Sequence, residues 1–441
     1  MQRNRRLAAV LVAAAVVIAL VLLLVLAGGR HGSSNTPPSF ATVPGSPPAS
    51  SAPPLADSQR VAAILTDMHN YAFYPGAPPP KNSAGLKGGT YINWSGTWDG
   101  NPETAAANTN FGSNGQTSAA TGGTPEHDEF TDLLYLRNLY GYRAAHPADQ
   151  SFASDIARMD PIVRSDFSNY TYYKCSLYGE LTDLDRFDPG QGWGSMAAAY
   201  AAGIYHTYYD PSRGTVAQPS KSSYRVDYSI ECAVALTDAG QRSHNSAMTA
   251  AGISTARYVL GHDVDAGTHL LPLQASFSSG AEDTVFQAQV KVGDEAQILD
   301  AMLSMYTMTH DAAFLTEVHD AVMSMYSDGL YDSAHGGFYF SIDSNGTDLQ
   351  TGYKETRQAW MLQVLERLNQ LQPGQWGAKS AAMLTVVRDQ LWQASAGGYV
   401  YRVTPSFTIY HTNAGPGHTP VTENWVTAEA MDIAGQVLEG N

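Results

Sequence analysis

The chain has 441 residues, with 25 Lys plus Arg against 41 Asp plus Glu, and a formal charge of −16. Residues 1–56 hold Arg3, Arg5, Arg6 and Arg30 but no acid, so the remaining 21 cations face all 41 acids, which repels phosphate backbones and argues against a nucleic-acid partner. A hydrophobic content of 44% excludes a disordered chain, and two cysteines, Cys175 and Cys232, exclude a disulfide scaffold and a thiolate zinc site; whether they pair or stay as separate buried thiols is left open.

Residues 7–27 are an unbroken apolar run of 21 residues. As a helix the run is about 31 Å long, enough to cross the hydrocarbon core. Arg3, Arg5 and Arg6 precede it and hold the amino terminus inside. The apolar region of a cleaved signal spans only about 7–15 residues. The expectation is therefore a cytoplasmic basic tail over 1–6 and a single-pass transmembrane anchor over 7–27, with a cleaved signal as the alternative. Residues 28–56 read as a Pro/Ser-rich linker, since seven Pro and six Ser fall within 31–56. The domain over 57–441 would then lie outside the cell.

From residue 57 onward a unit recurs: a Gly-aromatic turn, a polar loop, a charged residue, then an apolar helix. A helix over 58–71 comes first. The first unit has Gly89-Thr90-Tyr91, a long loop, and His127-Asp128-Glu129 before Leu133-Leu134-Tyr135. The second has Gly192-Trp193-Gly194 before a helix over 195–206, and the third has Tyr224, Arg225 and Asp227 before one over 230–236. The fourth has Lys291, Asp294, Glu295 and Gln297 before 298–303. In the fifth, Asp332 and Gly336-Gly337-Phe338 enter a short strand, 341–352 forms a hairpin loop, and Lys354-Glu355-Thr356-Arg357-Gln358-Ala359-Trp360 opens a helix to about Leu371. Within that loop, residues 343–348 read as a hairpin tip rather than a calcium loop. The sixth has Gly397-Gly398-Tyr399, a Pro-containing loop, and Glu423-Asn424-Trp425 opening a helix to about Leu438. Each opening helix is followed by a second. The helix over 58–71 is left to pair with the last and close a ring. Strand content is confined to the turns.

Six helical hairpins of this length resemble the (α/α)6 toroid of the six-hairpin glycosidase superfamily. Residues 332–363 also resemble the corresponding stretch of N-acylglucosamine 2-epimerase-like proteins, with an acid, a Gly-Gly-aromatic strand and a Lys…Gln-Ala helix start. The resemblance implies an all-α fold with short β-hairpins on the loops and a carbohydrate substrate. The Asp-Asp pair of related mannan-degrading enzymes is not found here.

In such a ring the opening helices form the inner layer and their amino termini converge on one face. Glycosidic hydrolysis needs two carboxyl groups, one to protonate the leaving oxygen and one to activate water or attack. Asp128, Asp294, Glu355 and Glu423 are the candidate acid/base residues. Asp227, Glu129 and Glu295 fall at similar positions. Trp193, Tyr224, Trp360 and Trp425 are candidates to stack on a sugar, and Lys291, Lys354 and Arg357 to bond its hydroxyls. Acids in a first helical turn are also favoured by capping and the helix dipole, so the signal is their recurrence from unit to unit. HExxH, Walker, GxSxG and Rossmann patterns are missing, and the pairs His262/His269 and His411/His418 lack ligand spacing, so neither metal nor cofactor is expected. Three functions compete: an anchored extracellular glycoside hydrolase, a non-catalytic glycan-binding scaffold, and a sugar epimerase or isomerase.

Overall fold

The computed structural model describes residues 57–69, 93–94, 129–168, 173–218, 222–277, 284–394, 398–412, 421–422 and 426–440. The apolar run 7–27, the linker, Asp128, Glu423 and Trp425 lie outside the described residues. Among the described residues no helix is long and apolar enough to cross a membrane.

The helices come in pairs. In chain order they are α1 (Asp57–Asp67), α2 (Glu129–Ala145), α3 (Ala153–Phe167), α4 (Ser176–Phe187), α5 (Trp193–Tyr208), α6 (Val226–Arg242), α7 (Ser246–His262), α8 (Val292–Thr309), α9 (Ala312–Ser327), α10 (Trp360–Leu371), α11 (Gly377–Thr385) and α12 (Ala428–Glu439). The even-numbered helices pack side by side as an inner ring, and α12 returns to α2 to close it. Each odd-numbered helix packs on the outside of the one before it, while α1 packs against α12. This is an (α/α)6 toroid closed by its first helix.

Short turns join inner to outer helices. Between α8 and α9 only two residues intervene, His310 with a left-handed φ of 56° and Asp311, whose carboxylate accepts from Ala313 N–H at 3.2 Å. Between α6 and α7, Asn245 caps Met248 N–H at 3.1 Å. Apart from residues 168–175 before α4, the outer-to-inner connections are long and carry the strands, none of which exceeds four residues among the described residues, such as Ser223–Arg225 with Gln274–Ser276 and Lys354–Glu355 with Arg402–Val403. All the long connections therefore gather at the amino-terminal ends of the inner helices. Residues 341–350 form a hairpin, with Gly346 at φ 80°.

Three helix assignments change. The second inner helix is α4, and residues 195–206 belong to α5 in the outer layer. Gly192-Trp193 is a Gly-aromatic turn at the opposite end of the ring, where Gly192 reverses the chain with φ 87°. α4 shows its apolar residues (Leu177, Leu181 and Leu184) on one side only, and its polar side faces the ring axis. The last inner helix begins at Ala428, not 423, because Val426–Thr427 pairs first with Asn93–Trp94 as a strand. Lys354–Glu355 is likewise a strand, followed by a 3-10 turn at Thr356–Ala359.

The Lys354…Gln358 motif staples the fifth connection. Lys354 is fully buried, and its Nζ donates to Asp332 Oδ2 at 2.9 Å and to the carbonyls of Gly336 and Pro405 at 2.5 and 2.8 Å. Burial pulls its ammonium down to about 8. Gln358 Oε1 accepts from Phe338 N–H at 2.7 Å. A Cβ on Gly337, whose φ is 71°, would lie 2.7 Å from that same oxygen, so only glycine fits. These residues hold backbone, and Lys354 is not available to a sugar hydroxyl.

Cys175 and Cys232 form a disulfide across 57 residues, tying the start of α4 to the first turns of α6. Deeper along the axis, fully buried Arg137 of α2 meets Asp183 at 3.0 Å, Glu439 at 2.5 Å and Glu180 at 3.8 Å. One cation cannot neutralise three acids there. Burial raises the Glu180 carboxyl to about 7 and the Glu439 carboxyl to about 8.

Two expectations follow. Lys354→Met strands the buried Asp332 carboxylate, so stability should fall by about 3–5 kcal/mol and the thermal midpoint by on the order of 10 °C. A midpoint within 2–3 °C of the parent would contradict the staple. Second, Glu180 and Glu439 hold protons in the fold that the unfolded chain has released above its ordinary carboxyl range. The folded state binds more protons over roughly pH 5 to 8, so stability should decline as pH rises through that window. Glu180→Gln should flatten the decline in urea titrations at pH 5, 6, 7 and 8.

Candidate functional site

The inner helices all start on the long-loop face, so their free N–H groups and partial positive charge converge there. The sequence places acids in their first turns: Asp227 in α6, Asp294 in α8 and Glu429 in α12. The strand just before α6, the 3-10 turn that opens α10, and the strand Arg402–Val403 in the connection between α11 and α12 supply arginines between them.

The result is a chain of alternating charge. Arg225 donates from Nε to Asp227 Oδ1 at 2.9 Å and from Nη2 to Oδ2 at 2.5 Å. The same guanidinium lies 3.8 Å from Asp294 Oδ2. Arg357 takes the other Asp294 oxygen at 3.0 Å and pairs with Glu429 at 3.6 Å. Arg402, on the strand beside Glu355, donates to Glu355 Oε1 from Nε at 3.1 Å and from Nη2 at 3.0 Å. Gly293 permits this approach, since a Cβ there would sit 2.6 Å from Arg357 Cβ. Arg357 also lies over the Trp360 ring at 5.3 Å.

Burial acts unequally on these acids. Asp227 is raised, first by desolvation and also by the charge of Asp294, with Arg225 opposing. Glu355 is raised by desolvation against Arg402 and Arg357. Glu231, one turn below Asp227, is raised to about 8 by desolvation and by the Asp227 charge. Its Oε2 accepts from Ser176 N–H at 3.0 Å, at the start of α4. The rim thus sets carboxyl groups that burial pushes upward beside guanidiniums, a setting in which acid–base groups are tuned.

Of the candidates read from sequence, Asp294, Glu355 and Arg357 meet at this rim, and Trp360 lies directly beneath it. Lys291, half-buried, ends the strand before α8, with Nζ 5.8 Å from the centre of the Phe340 ring. Trp193 is elsewhere. It is fully buried at the start of α5, on the opposite face, with the Arg164 guanidinium 3.7 Å from its ring centre. Tyr224 is buried too, its hydroxyl donating to Asp263 at 2.6 Å and its ring stacked on Phe277. Neither is a sugar platform. Glu295 points away from the axis, buried near Glu317 and the Leu271 backbone, and burial raises it strongly. Sequence reasoning missed Glu231, Glu429 and Arg402. Glu429 had a usable signal, since it holds the same second helical position as Asp227 once the helix start is placed at 428.

No family model matches the chain, and no curated protein matches it. Solved structures do. An unsaturated glucuronyl hydrolase specific for heparin is 12% identical with a TM-score of 0.58, covering 87% of this chain and 95% of its own. A D-mannose isomerase is 9% identical with a TM-score of 0.58, covering 88% and 99%. An α-1,6-mannanase of Salegentibacter sp. HEL1_6, solved with α-1,6-mannotetrose, is 9% identical with a TM-score of 0.56, covering 87% and 98%. At these identities the likeness is one of fold, and the fold is that of the six-hairpin glycosidase-like (α/α)6 toroids.

Proposed function

We propose that the chain is a glycoside hydrolase working outside the cell, anchored through residues 7–27, with its reaction centre at the inner-helix rim. The observation that carries this is the pair Asp227 and Asp294, both buried and bridged by Arg225. In this reading Asp227, buried and raised, protonates the glycosidic oxygen as its bond to the anomeric carbon breaks. Asp294, gripped by Arg357, is the carboxylate that takes a proton from water or attacks the anomeric carbon. Glu355 is the alternative acid. Trp360 and the arginines would seat the sugar ring and its hydroxyls. Asp128 and Glu423, from the connections before α2 and α12, complete the candidate set.

A sugar isomerase is the second reading, favoured by the fold it shares with a D-mannose isomerase. The disulfide favours the first, because such bonds persist in oxidising compartments outside the cytosol.

Asp227→Asn, Asp294→Asn and Glu355→Gln keep shape and remove charge. On a glycan that the parent cleaves, a true acid or base should lose about 10²–10⁴-fold in turnover with the circular dichroism spectrum unchanged. Near-native turnover in all three, and in Asp128→Asn and Glu423→Gln, would remove this site. Binding of glycans without cleavage by the parent would leave the scaffold reading in its place. For the anchor, the full chain should sediment with membranes, and deletion of 1–27 behind a cleavable export signal should release it. A full-length product recovered from the medium with a new terminus near Gly28 would mean the run is a cleaved signal.

A further inference from the structure

The connections before α10 and α12 lay short strands side by side at the mouth of the ring. Phe340 N–H donates to the Tyr353 carbonyl at 3.1 Å, Glu355 faces Arg402 across the next pair, and Tyr410 N–H donates to the Arg402 carbonyl at 3.3 Å. Successive side chains of a strand point to opposite faces. Lys354 turns inward to its buried staple, so Tyr353 and Glu355 share the other face. Arg402 is on that face too, since it donates to Glu355.

Three aromatic rings run in a row over this face. Phe340 stacks on Tyr353 with 4.7 Å between ring centres and 27° between planes, and Tyr353 meets Tyr410 at 4.9 Å and 44°. The Arg402 guanidinium lies 4.4 Å from the Tyr353 ring centre, so it ties the row to Glu355 and the rim. The row grades from closed to open. Phe340 is buried, whereas Tyr353 and Tyr410 are half-buried. Cross-strand aromatic pairs stabilise a sheet by themselves, and Phe340 against Tyr353 serves that purpose. Tyr410 ends the row differently. Among the described residues its ring meets only Tyr353, and its hydroxyl makes no hydrogen bond.

We propose that Tyr353 and Tyr410 form a sugar platform beside the reaction centre, a subsite for an uncharged pyranose of a glycan chain. This rests on the hydrolase reading of the rim and deepens it, because the substrate is then an oligosaccharide or longer and not a free monosaccharide. An aromatic face covers the C–H face of a pyranose, while the tyrosine hydroxyls reach the sugar hydroxyls at its edge. Arg402 is taken by Glu355, and Lys291 reaches only the closed end of the row, 5.8 Å from Phe340. The open end therefore offers faces and hydroxyls without a charge. A sugar seated there neighbours the one whose bond breaks, and adds binding without taking part in proton transfer.

The test is isothermal titration of the full chain with α-1,6-mannotetraose, cellotetraose and tetragalacturonate, each beside its monosaccharide, using Asp294→Asn for any probe that the parent cleaves. A neutral tetrasaccharide should bind about tenfold or more tightly than its monosaccharide, and more tightly than tetragalacturonate. Tyr353→Ala and Tyr410→Ala should each weaken it about fivefold to tenfold, with the monosaccharide affinity and the circular dichroism spectrum unchanged. Tyr410→Phe keeps the ring and should retain most of the affinity, which a merely structural role for the hydroxyl would not predict. Should Tyr353→Ala fail to fold, the two Tyr410 variants decide alone. Tetrasaccharide binding without cleavage, lost in Tyr410→Ala, would remove the hydrolase and leave the platform. Cleavage with an unchanged KM in Tyr410→Ala would remove the platform and leave the hydrolase. The proposal is overturned if no neutral tetrasaccharide is preferred to its monosaccharide, if tetragalacturonate binds more tightly than both neutral chains, or if Tyr410→Ala binds as the parent does.

Discussion

Six inner helices point the same way, and nearly every feature of the molecule answers to that alignment. Parallel packing adds their dipoles instead of cancelling them, so one end of the ring gathers unpaired N–H groups and the other gathers carbonyls. The positive end takes Asp227, Asp294 and Glu429 in first turns. Short turns suffice at the negative end, because an inner and an outer helix meet there as an antiparallel pair. The outer helices return the chain to the positive end, where most of the connections are long and able to carry side chains into the mouth of the ring.

Acids alone would overcompensate in so dry a place. The arginines between them turn a cluster of like charges into an alternating chain. Asp227 and Glu355 are then pushed up by burial, each opposed by its own arginine. Gly293 matters here as much as any charged residue, since it lets the turn carrying Arg357 lie against the start of α8. The rim is a packing arrangement before it is an electrostatic one.

The ring and its closure by the first helix were legible in the sequence because apolar helices recur along the chain, and a helix left without a partner must find one; the pair α4 and α5 was not, since 195–206 reads as an inner helix. Asp294 and Arg357 were legible for the same reason, being fixed in register to helix starts. What failed was the reading of Trp193, Tyr224 and Lys354. Trp193 and Tyr224 sit beside turns as site residues do, but the first turn lies at the wrong end of the ring and the second residue is turned toward α7. Lys354 belongs to a stretch that resembles epimerase-like proteins, and the structure shows that stretch holding a loop together. Glycine, lysine and glutamine in that pattern report a backbone constraint, which a sequence comparison cannot distinguish from a catalytic one.

The closing contact has a consequence for synthesis. Val61, Ile64, Leu65 and Met68 of the first helix and its extension are buried, and the helix that covers them on one side starts at Ala428. About 360 residues must be made in between, which at ordinary elongation rates is roughly 20–70 s. Through that interval the growing chain is an open arc of hairpins with an apolar face at each end. A nascent arc of this kind can also be closed by a neighbouring arc, so crowded ribosomes on one message would favour domain-swapped rings, and the spacing between ribosomes becomes a determinant of yield.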